Sequence, residues 1–105
     1  MTDATWHDIG PLEALRNHDV VAMPVAGREL AVYRQDGEAF ATALHCTHGH
    51  ARLCEGFFLD GEIECPLHQG RFDVRSGRAL CEPLTEDLAV HPVQIRDGRV
   101  WVRLD

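Results

Sequence analysis

Positive charge is scarce in this chain of 105 residues: ten Lys and Arg stand against 17 Asp and Glu, a formal net charge of −7. So acidic a surface is repelled by phosphate backbones, which argues against nucleic acid as a partner. Long apolar runs are missing too. The longest, Val20 to Ala26, has seven residues and contains Pro24, whereas a membrane span needs about 20. The opening Met1-Thr2-Asp3-Ala4 lacks the basic-then-apolar pattern of a secretory signal. A cytoplasmic location is expected, with cysteines kept reduced. Helical periodicity is nearly absent. Only Gly10 to Asn17 reads as a helix, with Asp8 as its cap, Pro11 early and Leu12 and Leu15 on one face. There is no internal repeat, low-complexity stretch or linker, so residues 1–105 read as a single domain. With 45% hydrophobic and 26% charged residues, the composition excludes disorder as the main state.

Turns and short strands are what the chain does contain. Ala26-Gly27, Asp36-Gly37, Asp60-Gly61, Ser76-Gly77 and Asp97-Gly98 each separate short apolar or alternating runs. Asp-Gly in that setting signals a hairpin, because both central residues of a type I′ turn need positive φ. Glu29 to Leu44 reads as one hairpin about Asp36-Gly37, and Leu88 to Leu104 as another about Asp97-Gly98. Val100, Val102 and Leu104 alternate with Trp101 and Arg103, the period of a half-buried strand. The expected fold class is all-β, an antiparallel sandwich or barrel. The sandwich is expected from about residues 1–44 and 86–105, with residues 45–85 inserted as a subdomain.

That middle segment has a different character. From His45 to Gln69 it holds three of the four cysteines and four of the seven histidines. Its apolar pattern is weak, so its order is expected to come from a metal rather than from a core. Two short motifs stand out: Cys46-Thr47-His48 and Cys65-Pro66-Leu67-His68, with 16 residues between His48 and Cys65. Each loop offers one thiolate and one imidazole. A 2Fe–2S cluster with two Cys on one iron and two His on the other uses all four. Neutral imidazoles in place of thiolates leave such a cluster less negative, and easier to reduce by roughly a few hundred millivolts. A structural zinc site is the competing reading. Zinc fingers, however, usually pair Cys with Cys and His with His, whereas each loop here mixes the two. A colourless protein would favour zinc, and a red-brown one would exclude it.

The stretches Cys46-Thr47-His48-Gly49, Glu64 to Asp73 (ECPLHQGRFD) and Ala79-Leu80-Cys81 resemble the Rieske ferredoxins of bacterial aromatic ring-hydroxylating dioxygenases, especially the naphthalene dioxygenase type. The likeness runs over nearly the whole chain, including Glu29-Leu30-Ala31-Val32-Tyr33 and the closing strands. It implies a Rieske iron–sulfur fold whose 2Fe–2S cluster has Cys46 and Cys65 on one iron and His48 and His68 on the other. It implies an electron carrier, not an enzyme. The carrier would take single electrons from an NAD(P)H-dependent flavoprotein reductase and pass them to a terminal oxygenase. It also implies that the histidines lie at an exposed tip, with Gly49, His50, Arg52, Leu67, Gln69 and the Pro83 turn as its rim.

Departures from the high-potential branch of that family bear on the redox potential. Its loop-bridging disulfide would need cysteines at Ala51 and Leu67, and its hydroxyl donors would stand at Gly70 and Phe72. Hydrogen bonds to cluster sulfur favour the reduced state, so their absence predicts a low potential. Enzymatic oxygenases of the family need a second iron site. Only 37 residues follow the second motif, with His91 the sole further histidine, so none is expected. The small subunit of nitrite reductases shares the fold, but members often lack the ligands. Cys54 and Cys81 are left over and read as buried or half-buried thiols. His45 and His50 flank a ligand set that is already complete. Glu55, Asp60, Glu62 and Glu64 lie between the loops as a possible acidic face, which predicts salt-sensitive transfer from the reductase.

Overall fold

The computed structural model describes residues 5–47, 49, 51–67, 69–82 and 84–104. Among these, ten strands form three antiparallel sheets. The first joins β1 (Thr5–Pro11), β10 (Arg99–Leu104) and β9 (Val93–Arg96), in that order. The second has the order β2 (Asp19–Val25), β3 (Arg28–Gln35), β4 (Glu38–Ala43) and β8 (Val90–His91). The third, made of β5 (Phe57–Leu59), β6 (Glu62–Glu64) and β7 (Arg71–Asp73), falls in sequence between β4 and β8.

The hairpin expectations hold. Leu30 faces Ala43 and Gln35 faces Glu38 across β3–β4, while Val100 faces Ile95 across β9–β10. Both turn residues have positive φ at Ala26-Gly27, Asp60-Gly61 and Asp97-Gly98, as the right-handed twist of flanking strands requires. At Asp36-Gly37 only Asp36 does.

The expected helix over Gly10–Asn17 does not form. Its first residues belong to β1, with Gly10 opposite Val100 and Pro11 opposite Arg99, and only Leu12–Ala14 makes a single 3-10 turn. Gly10 sits at φ 116° after a bulge at Asp8. The Asp8 carboxylate accepts the Gly10 N–H at 3.0 Å. Strand pairing along β10 thus outweighs a helical signal of two leucines. Pro11 ends an edge strand, where its missing N–H leaves no ladder bond unmade.

β3 decides where the core lies. Leu30, Ala31, Val32 and Tyr33 are all buried, so the strand is covered on both faces. Leu30 and Val32 join Val25, Ala41, Val100, Val102 and Leu104 in the core between the first two sheets. Ala31 and Tyr33 turn the other way, into a second core with Leu53, Phe58, Ile63, Phe72, Val74, Leu84 and Leu88. The middle segment therefore has an apolar core of its own, contrary to the expectation of order supplied by metal alone. Its strands have three residues each and bury a single central side chain: Phe58, Ile63 or Phe72. One apolar residue per strand is too little to register as a pattern in sequence.

Contacts outside the cores tie the third sheet to the second. The Arg75 guanidinium grips Glu38 at 2.8 and 3.1 Å and lies 4.7 Å over the Phe40 ring. It holds the Glu38 carboxyl below its ordinary range. Behind it the chain turns at Gly77, which has φ +80°, and the Leu88 N–H donates to the Gly77 carbonyl at 2.6 Å. A Cβ at Gly77 would run into the Leu88 carbonyl. Gly77→Ala is therefore expected to cost at least about 2 kcal/mol, from the strained φ together with the backbone clash. That corresponds to a fall in Tm of roughly 8 °C or more, and a calorimetric shift under about 2 °C would contradict it.

Candidate metal centre

Two loops with the same closure carry the two motifs. In the first, His45 bridges Arg52, and the Cys46 N–H donates to the Ala51 carbonyl at 2.9 Å. In the second, Glu64 pairs with Arg71, and the Cys65 N–H donates to the Gly70 carbonyl at 2.7 Å. Each cysteine thus closes its loop onto the carbonyl five residues ahead. His48 and His68 fall inside these loops, but they lie outside the described residues, as do His50 and Pro83. Their part as ligands therefore stays an expectation.

The two cysteines are brought together. Cys46 is 4% exposed and Cys65 1%, and both lie in the second core, close enough for Cys46 to act on the Cys65 thiol. Burial, then Cys46, push the Cys65 thiol up to about 11, while the Leu67 N–H donating to its sulfur pulls the other way. Two buried thiols in contact are poor anions by themselves. A multivalent cation between them offsets the burial and takes both as thiolates. The donor set, two buried thiols side by side, fits a thiolate-bound iron. Among the described residues alone, no group of three or more His, Cys, Asp and Glu is placed to hold a metal ion.

The surroundings are built to hold the loops side by side. The Thr47 hydroxyl donates to the Glu86 carbonyl at 2.8 Å, which anchors the first loop to the segment before β8. That segment also covers the second loop. Leu84 is buried, and a Cβ at Gly70 would lie 2.5 Å from its Cγ. Gly70 is thus glycine for want of space as well as lacking a hydroxyl. Gln69 before it has φ 58°. Phe72 is fully buried in the second core. Sequence reasoning missed the roles of Thr47, Leu84 and Glu86, because their contacts join residues up to 39 apart.

Of the expected rim, Arg52 and Gln69 are exposed, and Leu67 is 50% exposed. Gly49 lies beside the Leu67 side chain. Ala51, Arg52, Glu55, Pro66 and Leu67 line a shallow depression between the loops. Ala51 and Leu67 carry no thiol, so no disulfide spans it. Cys54 and Cys81 are free and half-buried, as expected.

Comparison with known proteins shows what the chain is similar to. Residues 5–92 match the model of the Rieske [2Fe-2S] domain family. The chain is 49% identical over 100 residues to the ferredoxin component of the naphthalene 1,2-dioxygenase/salicylate 5-hydroxylase systems of a Ralstonia species, with 95% of this chain and 96% of that protein covered. Its fold matches the ferredoxin of carbazole 1,9a-dioxygenase from Nocardioides aromaticivorans IC177 with a TM-score of 0.88 at 33% identity, covering 93% and 96%. It also matches a chain in the complex of reduced oxygenase and oxidised ferredoxin of carbazole 1,9a-dioxygenase, with a TM-score of 0.85 at 35% identity, covering 92% and 91%.

Proposed function

Because this chain belongs to the Rieske [2Fe-2S] domain family, we propose that Cys46 and Cys65 hold one iron of its cluster and His48 and His68 the other. On this reading the chain is the ferredoxin of an aromatic ring-hydroxylating dioxygenase system. It receives single electrons from an NAD(P)H-dependent flavoprotein reductase and delivers them to a terminal oxygenase. It is a carrier and not a catalyst. The observation that carries the reading is the pair of buried, neighbouring thiols in two equivalently closed loops. When bound, the cluster supplies a one-electron couple. The chain's own residues hold the loops in register and keep the thiol side dry. The exposed Arg52, Leu67 and Gln69 on these loops leave a surface for a partner to approach.

Relatives with nearly the whole chain in common support this role, the Ralstonia ferredoxin component among them. The working place is proposed to be the cytoplasm, where NAD(P)H is at hand. No helix among the described residues is long and apolar enough to cross a membrane.

The potential follows from what surrounds the thiols. Gly70 and Phe72 bring no hydroxyl, and the buried Leu84 packs on Gly70. A dry, donor-poor site disfavours the extra negative charge of the reduced state. The expected midpoint is about −150 mV, at the bottom of the Rieske range. Optical redox titration of the red-brown protein checks it, and a value well above zero would refute this account of Gly70, Phe72 and Leu84. A reduced sample without the low average g-value of a mixed Cys/His cluster in EPR would remove the proposed ligand set itself.

A further inference from the structure

Residues 84–88 belong to no strand, yet they touch both cysteine loops. Leu84 and Leu88 are buried in the second core, while Thr85, Glu86 and Asp87 between them are exposed. Leu84 packs on Gly70, whose carbonyl accepts the Cys65 N–H that closes the second loop. Two residues on, the Glu86 carbonyl accepts the Thr47 hydroxyl at 2.8 Å. Thr47 stands between Cys46 and His48 in the first loop, so this bond reaches the first motif itself. The next residue makes a second tie. The Asp87 carboxylate accepts the Ala79 N–H at 2.9 Å, and Ala79 bridges Phe72 on β7.

The two ties are exposed bonds between a side chain and the backbone, and each is worth only a few-fold in the closed population. A segment held in this way opens locally before the domain unfolds. Thr47 and Asp87 act in parallel. With one tie cut, the other still holds, so cutting both releases more than the separate effects multiplied. Leu84 holds the segment by shape instead. The three nearest neighbours of a Cβ at Gly70 would all be Leu84 atoms, at 2.5, 2.9 and 2.9 Å. Gly70 is not among the glycines with positive φ, so its backbone accepts a side chain and only Leu84 opposes one.

We propose that residues 84–88 are a strap across the two loops, and that its release sets how fast the iron–sulfur cluster is lost. Thr47, Asp87 and Leu84 are its positioning residues. The proposal rests on the ferredoxin reading above, which supplies the cluster. Loss from the oxidised protein is ligand exchange without electron transfer. Both ferric ions pass to a chelator, the sulfides leave as hydrogen sulfide, and the cysteine thiolates take up protons.

The test follows bleaching of the oxidised holoprotein in excess EDTA at about 25 °C and sets each rate beside the variant's Tm. Thr47→Val is expected to lose its cluster about threefold faster, and Thr47→Ser, which keeps the hydroxyl, at the wild-type rate. Asp87→Ala is expected to match Thr47→Val, while Asp87→Asn keeps an acceptor oxygen and the wild-type rate. Thr47→Val/Asp87→Ala is expected to exceed the product of the two, about ninefold. Gly70→Ala and Leu84→Ala are each expected to speed the loss, and the two together to be slower than either alone, because the new methyl fills the space that Leu84 leaves. Val102→Ala, in the core between the first two sheets, is expected to lower Tm without changing the rate. Wild-type rates in Thr47→Val, Asp87→Ala and their double would overturn the strap. Rates that follow Tm across the whole set, Val102→Ala included, would overturn it too. Wild type that takes up no cluster would overturn the ferredoxin reading first, and this proposal with it.

Discussion

Replacing His68 with cysteine is expected to leave a cluster in place and lower its midpoint potential on the order of 100 mV. The size follows from charge. Exchanging both imidazoles of a Rieske cluster for thiolates takes the potential from about −150 mV to about −400 mV, and His68→Cys makes one of the two exchanges. An anionic thiolate in place of a neutral ring makes each added electron costlier. Redox titration with parallel optical spectra checks the result. An unchanged potential and spectrum would take His68 out of the ligand set. Cys46→Ser gives the complementary outcome. It breaks the thiol pair on which both loops converge, so cluster assembly is expected to fail, seen as loss of iron and colour on purification.

Phe72→Ala is expected to cost about 3–5 kcal/mol, the usual range for deleting a buried ring. Phe72 is fully buried on β7, paired with the equally buried Ile63 on β6 and bridged to Ala79. It shares its core with Cys46 and Cys65. Against a total stability of about 5–15 kcal/mol, such a loss brings a domain of this size near unfolding. Urea titration checks it, through a lower midpoint at an unchanged slope. Phe72→Leu, which keeps most of the volume, is expected to lose much less. A cost below about 1 kcal/mol for Phe72→Ala would mean that the third sheet does not depend on this core, and that the cluster alone orders the segment.

The hairpins and their turns could be read from Asp-Gly and Ala-Gly pairs, because a turn's chemistry is local. The two motifs could be read because metal ligands must be particular residue types at short spacing. The helix over Gly10–Asn17 misled for the opposite reason: its signal was local, and pairing of β1 with β10 overrode it.

By itself, the order of residues determined that this chain is a β protein of the Rieske family, and it supplied the two Cys/His motifs proposed to hold the cluster. Residue type and short spacing suffice for both. Only the tertiary structure decided that β3 is covered on two sides, that the cluster segment has its own apolar core, and that Thr47 and Leu84 meet the chain some 40 and 14 positions away. Those outcomes depend on which distant surfaces come to share one interior.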